Sequence, residues 1–170
     1  MDPFETERLI VRQFTELDGN DFFLLNSNEK VVQYIRPPKN RAESDDFLAE
    51  NLNLYFDGFP YGRMHVSEKL TGKFIGTFSL LYLDGDADYH IGYALLPEHW
   101  GKGYASELVK YGTAIFFNRT KHSCLFAITN PENLVSETVL YKNGYHQSGE
   151  YLLDQKPLHL FQIQRTFAQI

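Results

Sequence analysis

The chain has 170 residues, of which 43% are hydrophobic and 22% charged, and a formal net charge of −6. That length and balance suit one soluble globular domain over residues 1–170, and the negative charge argues against a nucleic-acid partner while weakly favouring a cationic one. One cysteine excludes an intrachain disulfide; no run approaches the roughly 18 apolar residues of a membrane span, and the opening residues lack a basic stretch followed by an apolar one, so the expectation is a cytoplasmic protein with no membrane partner.

In chain order, Arg8 to Phe14 alternates as a strand, and Thr15 is an N-cap for a short helix carrying Leu17, Phe22, Phe23 and Leu25. Val31, Val32, Tyr34 and Ile35 add a second short helix closed by Pro37-Pro38, with residues 36–41 as a basic loop. Ala42 to Phe56 places Phe47, Leu48, Leu52, Tyr55 and Phe56 at helical spacing before Gly58, Pro60 and Gly62 break it. Arg63–Lys69 and Lys73–Leu83 read as a hairpin about Leu70-Thr71-Gly72, and Asp84-Gly85-Asp86 as a second tight turn. Cys124–Thr129 is a further strand, in which Cys124 is a core residue rather than a nucleophile. Leu134–Asn143 is a helix that Gly144 ends with positive φ, and Tyr145–Leu153 pairs with Leu158–Phe167 across residues 154–157.

The centre of the chain runs from Asp88 to Arg119. Tyr89–Leu96 is an apolar run bounded by Asp88 and Pro97, as in a buried strand. From Gly103 onward, Ala105, Leu108, Val109, Gly112, Ile115 and Phe116 follow the spacing of one helix face. Between them stand Trp100-Gly101-Lys102-Gly103-Tyr104-Ala105. Two glycines let backbone amides approach a ligand, the helix start offers free N–H groups, and Lys102 adds charge, so the stretch suits a phosphate. Read alone, the glycines fit an ordinary turn as well, and neither the P-loop nor the dinucleotide fingerprint is completed.

Taken together, Leu95-Leu96-Pro97-Glu98-His99-Trp100-Gly101-Lys102-Gly103-Tyr104-Ala105-Ser106-Glu107 resembles the acetyl-CoA motif of the GCN5-related N-acetyltransferases (GNAT), with the RimJ/RimL-type branch nearest. Two more blocks agree in the family's order: Glu5–Arg12, and Asn130-Pro131-Glu132-Asn133-Leu134-Val135-Ser136 leading to Asn143-Gly144-Tyr145. The resemblance implies an α/β (α+β) acyl-CoA N-acyltransferase fold, a mixed, mostly antiparallel sheet flanked by helices. It implies acetyl-CoA as cosubstrate, with backbone groups of Ala94, Leu95 and Leu96 on the pantetheine arm. Backbone amides of Lys102, Gly103, Tyr104, Ala105 and Ser106 would hold the pyrophosphate, Trp100 and Gly101 would belong to the same cofactor-binding motif, and Asn130 and Asn133 would touch the cofactor from the other side. Asn130-Pro131 reads equally as a capped strand-to-helix turn.

Acetyl transfer to an amine needs the amine neutral, the thioester carbonyl polarised and a proton for the departing thiolate. His90 stands where many relatives carry a glutamate, in His90-Ile91-Gly92-Tyr93, and is the candidate base; a histidine bonded within the sheet is the competing reading. The usual tyrosine position is Leu140, and Tyr141, one residue on, points about 100° away, so Ser136 is taken as the candidate second catalytic residue. The histidines show no metal-ligand spacing, and no metal is implied. The expected reaction is direct attack by a primary amine in a ternary complex, the branch suggesting a protein N-terminal α-amine. A small-molecule amine acceptor and a non-catalytic CoA-binding sensor are the alternatives, and a monomer or homodimer stays open.

Overall fold

The computed structural model describes residues 4–56, 62–83 and 88–166. In chain order the elements are β1 (Phe4–Glu5), β2 (Leu9–Gln13), α1 (Gly19–Asn26), α2 (Glu29–Val32), α3 (Arg41–Phe56), β3 (Gly62–Glu68), β4 (Phe74–Tyr82), β5 (Tyr89–Leu95), α4 (Tyr104–Arg119), β6 (Cys124–Thr129), α5 (Leu134–Lys142), β7 (His146–Leu153) and β8 (Lys156–Gln164). Among the described residues, eight strands form one sheet in the order β1-β2-β3-β4-β5-β6-β8-β7. Every neighbouring pair is antiparallel except β5 and β6, which run parallel.

Period-two alternation divides the side chains between two faces. Val11, Met64, Val66, Phe78, Leu80, Ile91 and Leu125 point to one face, where Leu108, Val109 and Phe116 of α4 and Leu140 of α5 close the main core. Gly112 makes that closure possible, because a Cβ there would collide with the ring of Phe78. The opposite face is covered by α1, α2 and α3, through Leu25, Val31, Val32 and Leu96 in one cluster and Phe14, Phe22 and Leu48 in another. Of these helices, α3 packs on β3 and α2 on β5, with α1 between them.

Several boundaries differ from the sequence reading for local reasons. Asp154 and Gln155 both take positive φ (49° and 65°), so the last hairpin turns in two residues and β8 begins at Lys156. Leu17 lies in a short 3-10 turn and is 94% exposed rather than on a helix face. The second helical segment stops at Val32, three residues before Ile35. Gly144 does take positive φ, at 84°. The breaks at Gly58 and Pro60, the turn at Asp84-Gly85-Asp86, and Phe167 lie outside the described residues.

Candidate active site

The site is built where the sheet divides. β5 and β6 pair only through His90–Phe126 and Ile91–Ala127, although β5 continues to Leu95 and β6 to Thr129. Past Ile91 the strands diverge, leaving backbone groups without a ladder partner on that side. Leu96 donates its N–H to Ile75 of β4 at 2.9 Å, so alternation turns Leu96 and Ala94 toward β4 and Leu95 and Tyr93 toward the split. Of the three residues assigned to the pantetheine arm, Leu95 alone faces the opening, and Tyr93 joins it. The Leu95 carbonyl accepts the indole N–H of Trp100 at 2.7 Å. Trp100, assigned to the cofactor, is therefore also a latch that ties the loop to the end of β5.

At the same end of the split, Gly101 and Gly103 take φ of 71° and 80°, a conformation glycine adopts without strain. Gly103 is the residue before α4, and no side chain caps that helix. The amides of Tyr104, Ala105 and Ser106 therefore have no helical acceptor. Gly101, Lys102 and Gly103 are exposed while Tyr104 is buried. A phosphate fits this cradle on geometry and on the positive end of the helix dipole. The N-terminal block braces it. Arg8 donates through Nε to Glu107 at 2.7 Å and through a terminal nitrogen to the Lys102 carbonyl at 2.9 Å, and it stacks 4.5 Å from the Tyr104 ring centroid. The Tyr104 hydroxyl donates to Glu68 at 2.5 Å, and the Thr6 hydroxyl to Glu107 at 2.5 Å. Burial opposes ionisation of Glu107, yet bonds from Thr6 and Arg8 hold its carboxyl below its ordinary range.

On the β6 side, Asn130 accepts the Glu132 amide at 2.9 Å and Asn133 accepts the Ser136 amide at 3.2 Å. Both asparagines therefore spend their side-chain carbonyl on capping. Asn143 donates to Ser106 at 2.9 Å, tying the end of α5 to the start of α4. Ser136 meets Tyr93 across the split, hydroxyl to hydroxyl at 2.8 Å. Burial pushes the Tyr93 phenol up to about 12, with the Ser136 bond opposing, so it keeps its proton at neutral pH. The sequence reading included Tyr93 in a motif without giving it a role.

His90 projects to the α1–α3 face, paired through its backbone with Leu81 and Phe126. Its Nδ1 is buried without a partner among the described residues. Burial, joined by the charge of Arg63, lowers its pKa to about 4, against a backbone contribution from Ile91. It is neutral at pH 7 and hence able to accept a proton, but far below the pH 6–7.5 range expected of an ordinary histidine base. Arg63, Ser79 and Gly92 are successive cross-strand partners on this face.

Other chemistry-bearing groups are accounted for by structure. Asp18, Asp21 and His65 bring ligand atoms within 4.8 Å of one another, a grouping their scattered positions in the sequence conceal. Arg12 grips both oxygens of Asp18 at 2.8 Å and supplies the counter-charge. Glu137 and His159 bond at 2.6 Å between α5 and β8. Cys124 is half-buried, and burial raises its thiol pKa, the opposite of an activated nucleophile.

A divided parallel pair beside an uncapped, glycine-led helix offers a slot in the sheet with an anion cradle at its rim, which suits a phosphate-bearing ligand. Comparison with known proteins agrees. A model of the acetyltransferase (GNAT) domain matches residues 8–146. The uncharacterized N-acetyltransferase YoaA of Bacillus subtilis (strain 168) is 29% identical over 153 residues, covering 85% of this chain and 83% of that protein. A GNAT acetyltransferase structure from Bacillus anthracis superposes with a TM-score of 0.83 at 22% identity, covering 95% and 98% of the two chains. The same fold holds coenzyme A in a ribosomal L7/L12 alpha-N-protein acetyltransferase (TM-score 0.79, 16% identity, 94% and 95% covered) and in an aminoglycoside acetyltransferase (0.75, 17%, 92% and 95%). The chain belongs to the GNAT acetyltransferases. It is an N-acetyltransferase of a family that uses acetyl-CoA, and none of its described helices is long and apolar enough to cross a membrane.

Proposed function

We propose that this enzyme moves acetyl from acetyl-CoA to a primary amine by direct attack in a ternary complex, as one domain spanning residues 1–170 and acting in the cytoplasm. The observation that carries the reading is the opening of β5 from β6 beside the uncapped start of α4. Amides from Lys102 to Ser106, with Gly101 and Gly103 leaving room, take the pyrophosphate. The exposed edge of β5 at Tyr93 and Leu95 takes the pantetheine arm, flanked by Asn130 and Asn133. The donor then enters from the α4 face and presents its thioester at the split, and the acceptor approaches from the face that carries His90.

The amine nitrogen attacks the thioester carbon, the C–S bond breaks, and the proton lost by nitrogen balances the charge left on sulfur. His90, neutral at working pH, receives or relays that proton. The positive charge of Arg63, which disfavours an imidazolium, likewise disfavours an ammonium held beside it. The Tyr93–Ser136 hydroxyl pair lies where the thiolate departs. A phenol near 12 does not yield its proton outright to a thiolate of ordinary pKa near ~8.5, but it stabilises that anion by donating a hydrogen bond.

The three RimJ/RimL-like blocks point to a protein N-terminal α-amine as acceptor. The aminoglycoside acetyltransferase of the same fold keeps a small-molecule amine as the second reading. Thermal stability with and without acetyl-CoA, followed by free-thiol release over an amine and peptide panel, tests the proposal. Acetyl-CoA at about 100 times its Kd stabilises by about 2.7 kcal/mol if it binds only the folded chain, and thiol release names the acceptor. No stabilisation overturns the site. Stabilisation without release on any amine overturns transfer and leaves a CoA-binding sensor.

A further inference from the structure

The face of the sheet opposite α4 holds a group of charges that the cofactor does not use. Arg63 leaves β3 and lies 4.5 Å from the centroid of the Phe47 ring on α3. Arg36 lies 5.0 Å from the same ring and the Lys39 ammonium 4.9 Å. Three cations thus surround one aromatic ring, which has only two faces to offer them. Among the described residues none of the three is in an ion pair. The guanidinium of Arg36 spends one donor on Asn26 at 2.6 Å. Asn51 and Tyr55 bond the backbone of Arg63, leaving its side chain free of both. Glu50 attracts Arg63 from beyond ion-pair distance.

The arrangement is costly as it stands. All three residues are partly buried. Burial lowers the pKa of Arg36, and burial together with the charge of Arg36 lowers that of Arg63 to about 10. Gathered, desolvated like charges need a counter-ion. The chain has 22 carboxylates against 16 basic side chains, yet among the described residues none is in an ion pair with these three, and Glu50 acts on Arg63 only from beyond that distance.

The cluster borders the place where acetyl must be received. Arg63 pairs with Ser79, and Ser79 with Gly92, directly across three strands. Gly92 presents no side chain, and a Cβ there would press on Ser79 Oγ at 2.7 Å. Two strand spacings, about 10 Å, separate Arg63 from the strand that opens, a span that an arginine side chain and a bound amino acid bridge together. We propose that Arg36, Lys39 and Arg63 form a subsite for a carboxylate carried by the acceptor, so that the amine acetylated belongs to a molecule with a carboxylate close to it. The inference rests on the acetyl-transfer reading and specifies its substrate class. It also reverses the expectation from overall charge, which weakly favoured a cationic acceptor, since the field at the site is set by these three groups and not by the distant surface.

Two sources supply that chemistry: the α-carboxylate of a free amino acid, and an acidic side chain at a peptide N-terminus. The test uses matched pairs differing only in charge, L-alanine against L-alaninamide and Asp-Ala-Ala-amide against Asn-Ala-Ala-amide. Binding to the coenzyme A-loaded protein is measured by calorimetry and turnover by thiol release. The carboxylate member of at least one pair should bind at least 10-fold more tightly, and the pair that responds names the source. Arg63→Gln should remove most of that preference and Lys39→Gln about threefold of it, with coenzyme A binding as the check that each variant folds. Equal binding of acid and amide in both pairs, or an undiminished preference in both variants, overturns the proposal. Preference for O-phosphoethanolamine over ethanolamine in place of either pair overturns the carboxylate assignment. Charge-selective binding without thiol release would leave the subsite standing and overturn transfer alone.

Discussion

The two ends of the site, one on each face of the sheet, handle charge in opposite ways. At the α4 end, Arg8 is fully engaged: Glu107 at 2.7 Å, the Lys102 carbonyl at 2.9 Å and the Tyr104 ring beneath it. At the other, on the face opposite α4 and two strands away from β5, Arg36, Lys39 and Arg63 crowd one phenylalanine with no carboxylate in ion-pair contact among the described residues. A paired arginine has its energy satisfied within the fold and acts as a strut. An unpaired, partly buried one keeps its interaction energy for something that arrives. The first end is thus preformed for a ligand that backbone amides hold, and the second for a ligand that side chains select.

The strongest attack on the preformed end is Gly103→Val. Its φ of 80° is strained for a β-branched side chain, and the new side chain would stand among the amides that face the phosphate. We expect stabilisation by acetyl-CoA to vanish, a loss of at least about 1000-fold in affinity or roughly 4 kcal/mol, in a chain whose far-UV circular dichroism is unchanged. Retained affinity would place the pyrophosphate elsewhere.

His90 carries the next largest effect, read through pH. Unfolded, its imidazole protonates near pH ~6.5; folded, burial and the Arg63 charge hold protonation off until about 4. Between those values the unfolded chain binds the extra proton, so this contribution is fully present above pH ~6.5 and declines as pH falls toward 4. Its whole span is about 3 kcal/mol. His90→Gln should flatten most of the stability slope in that window. The remainder belongs to His65, which burial shifts the same way against Asp21, and in the lower part of the window to Asp18, Glu68 and Glu107, whose carboxyls the fold holds below their ordinary range. If His90 is the base, the acid limb of kcat/KM lies near pH 4 in the wild type and not at 6–7.5. A wild-type limb near pH 6.5 that His90→Gln abolishes would mean that the imidazole is far less desolvated than its surroundings indicate.

Much of this was legible in the sequence, and the rest was hidden for identifiable reasons. The glycine loop, the helix after it and the Asn-capped start of α5 are local, so spacing along the chain reveals them. The mixed sheet was legible through the family resemblance rather than through alternation, since β4 is buried without a break from Ile75 to Leu80. What alternation could not say was which polar face would be covered. Arg63 and His65 alternate with Met64 and Val66 in β3, and nothing in that spacing tells that α3 lies over their face and sets Arg63 against the Phe47 ring. Trp100 was assigned to the ligand because it sits in the motif; that its half-exposed indole also donates to Leu95 could not be read from the motif. Tyr93 and Ser136 are 43 residues apart and meet only because β5 and α5 flank the split. No spacing rule reaches across that distance.

Tyr93→Phe removes a hydroxyl and leaves the ring. If the phenol supports the departing thiolate, kcat falls about 10- to 100-fold, some 1.4–2.8 kcal/mol, while KM for acetyl-CoA changes little. Ser136→Ala should cost less, because the serine reaches sulfur only in company with the phenol. Equal losses in KM and none in kcat would make the pair a structural tie across the split.

The smallest effect belongs to the strut. Arg8 is 46% exposed on its side chain and Glu107 8%, so the pair itself is worth no more than about 1 kcal/mol. Its importance is indirect. With Arg8→Gln the Lys102 carbonyl loses a donor, and the Glu107 carboxylate keeps only the bonds from Thr6 and the Arg8 amide. An under-neutralised carboxylate then stands in the first turn of the helix whose start receives the phosphates, and it repels them. KM for acetyl-CoA should rise about fivefold with kcat unchanged. Glu107→Gln placed on the same background should recover most of that rise, because the repulsion disappears even though the strut is still missing. The coupling between the two substitutions separates charge from geometry: recovery means that Arg8 shields the phosphate from Glu107, and no recovery means that it acts by holding the loop in shape.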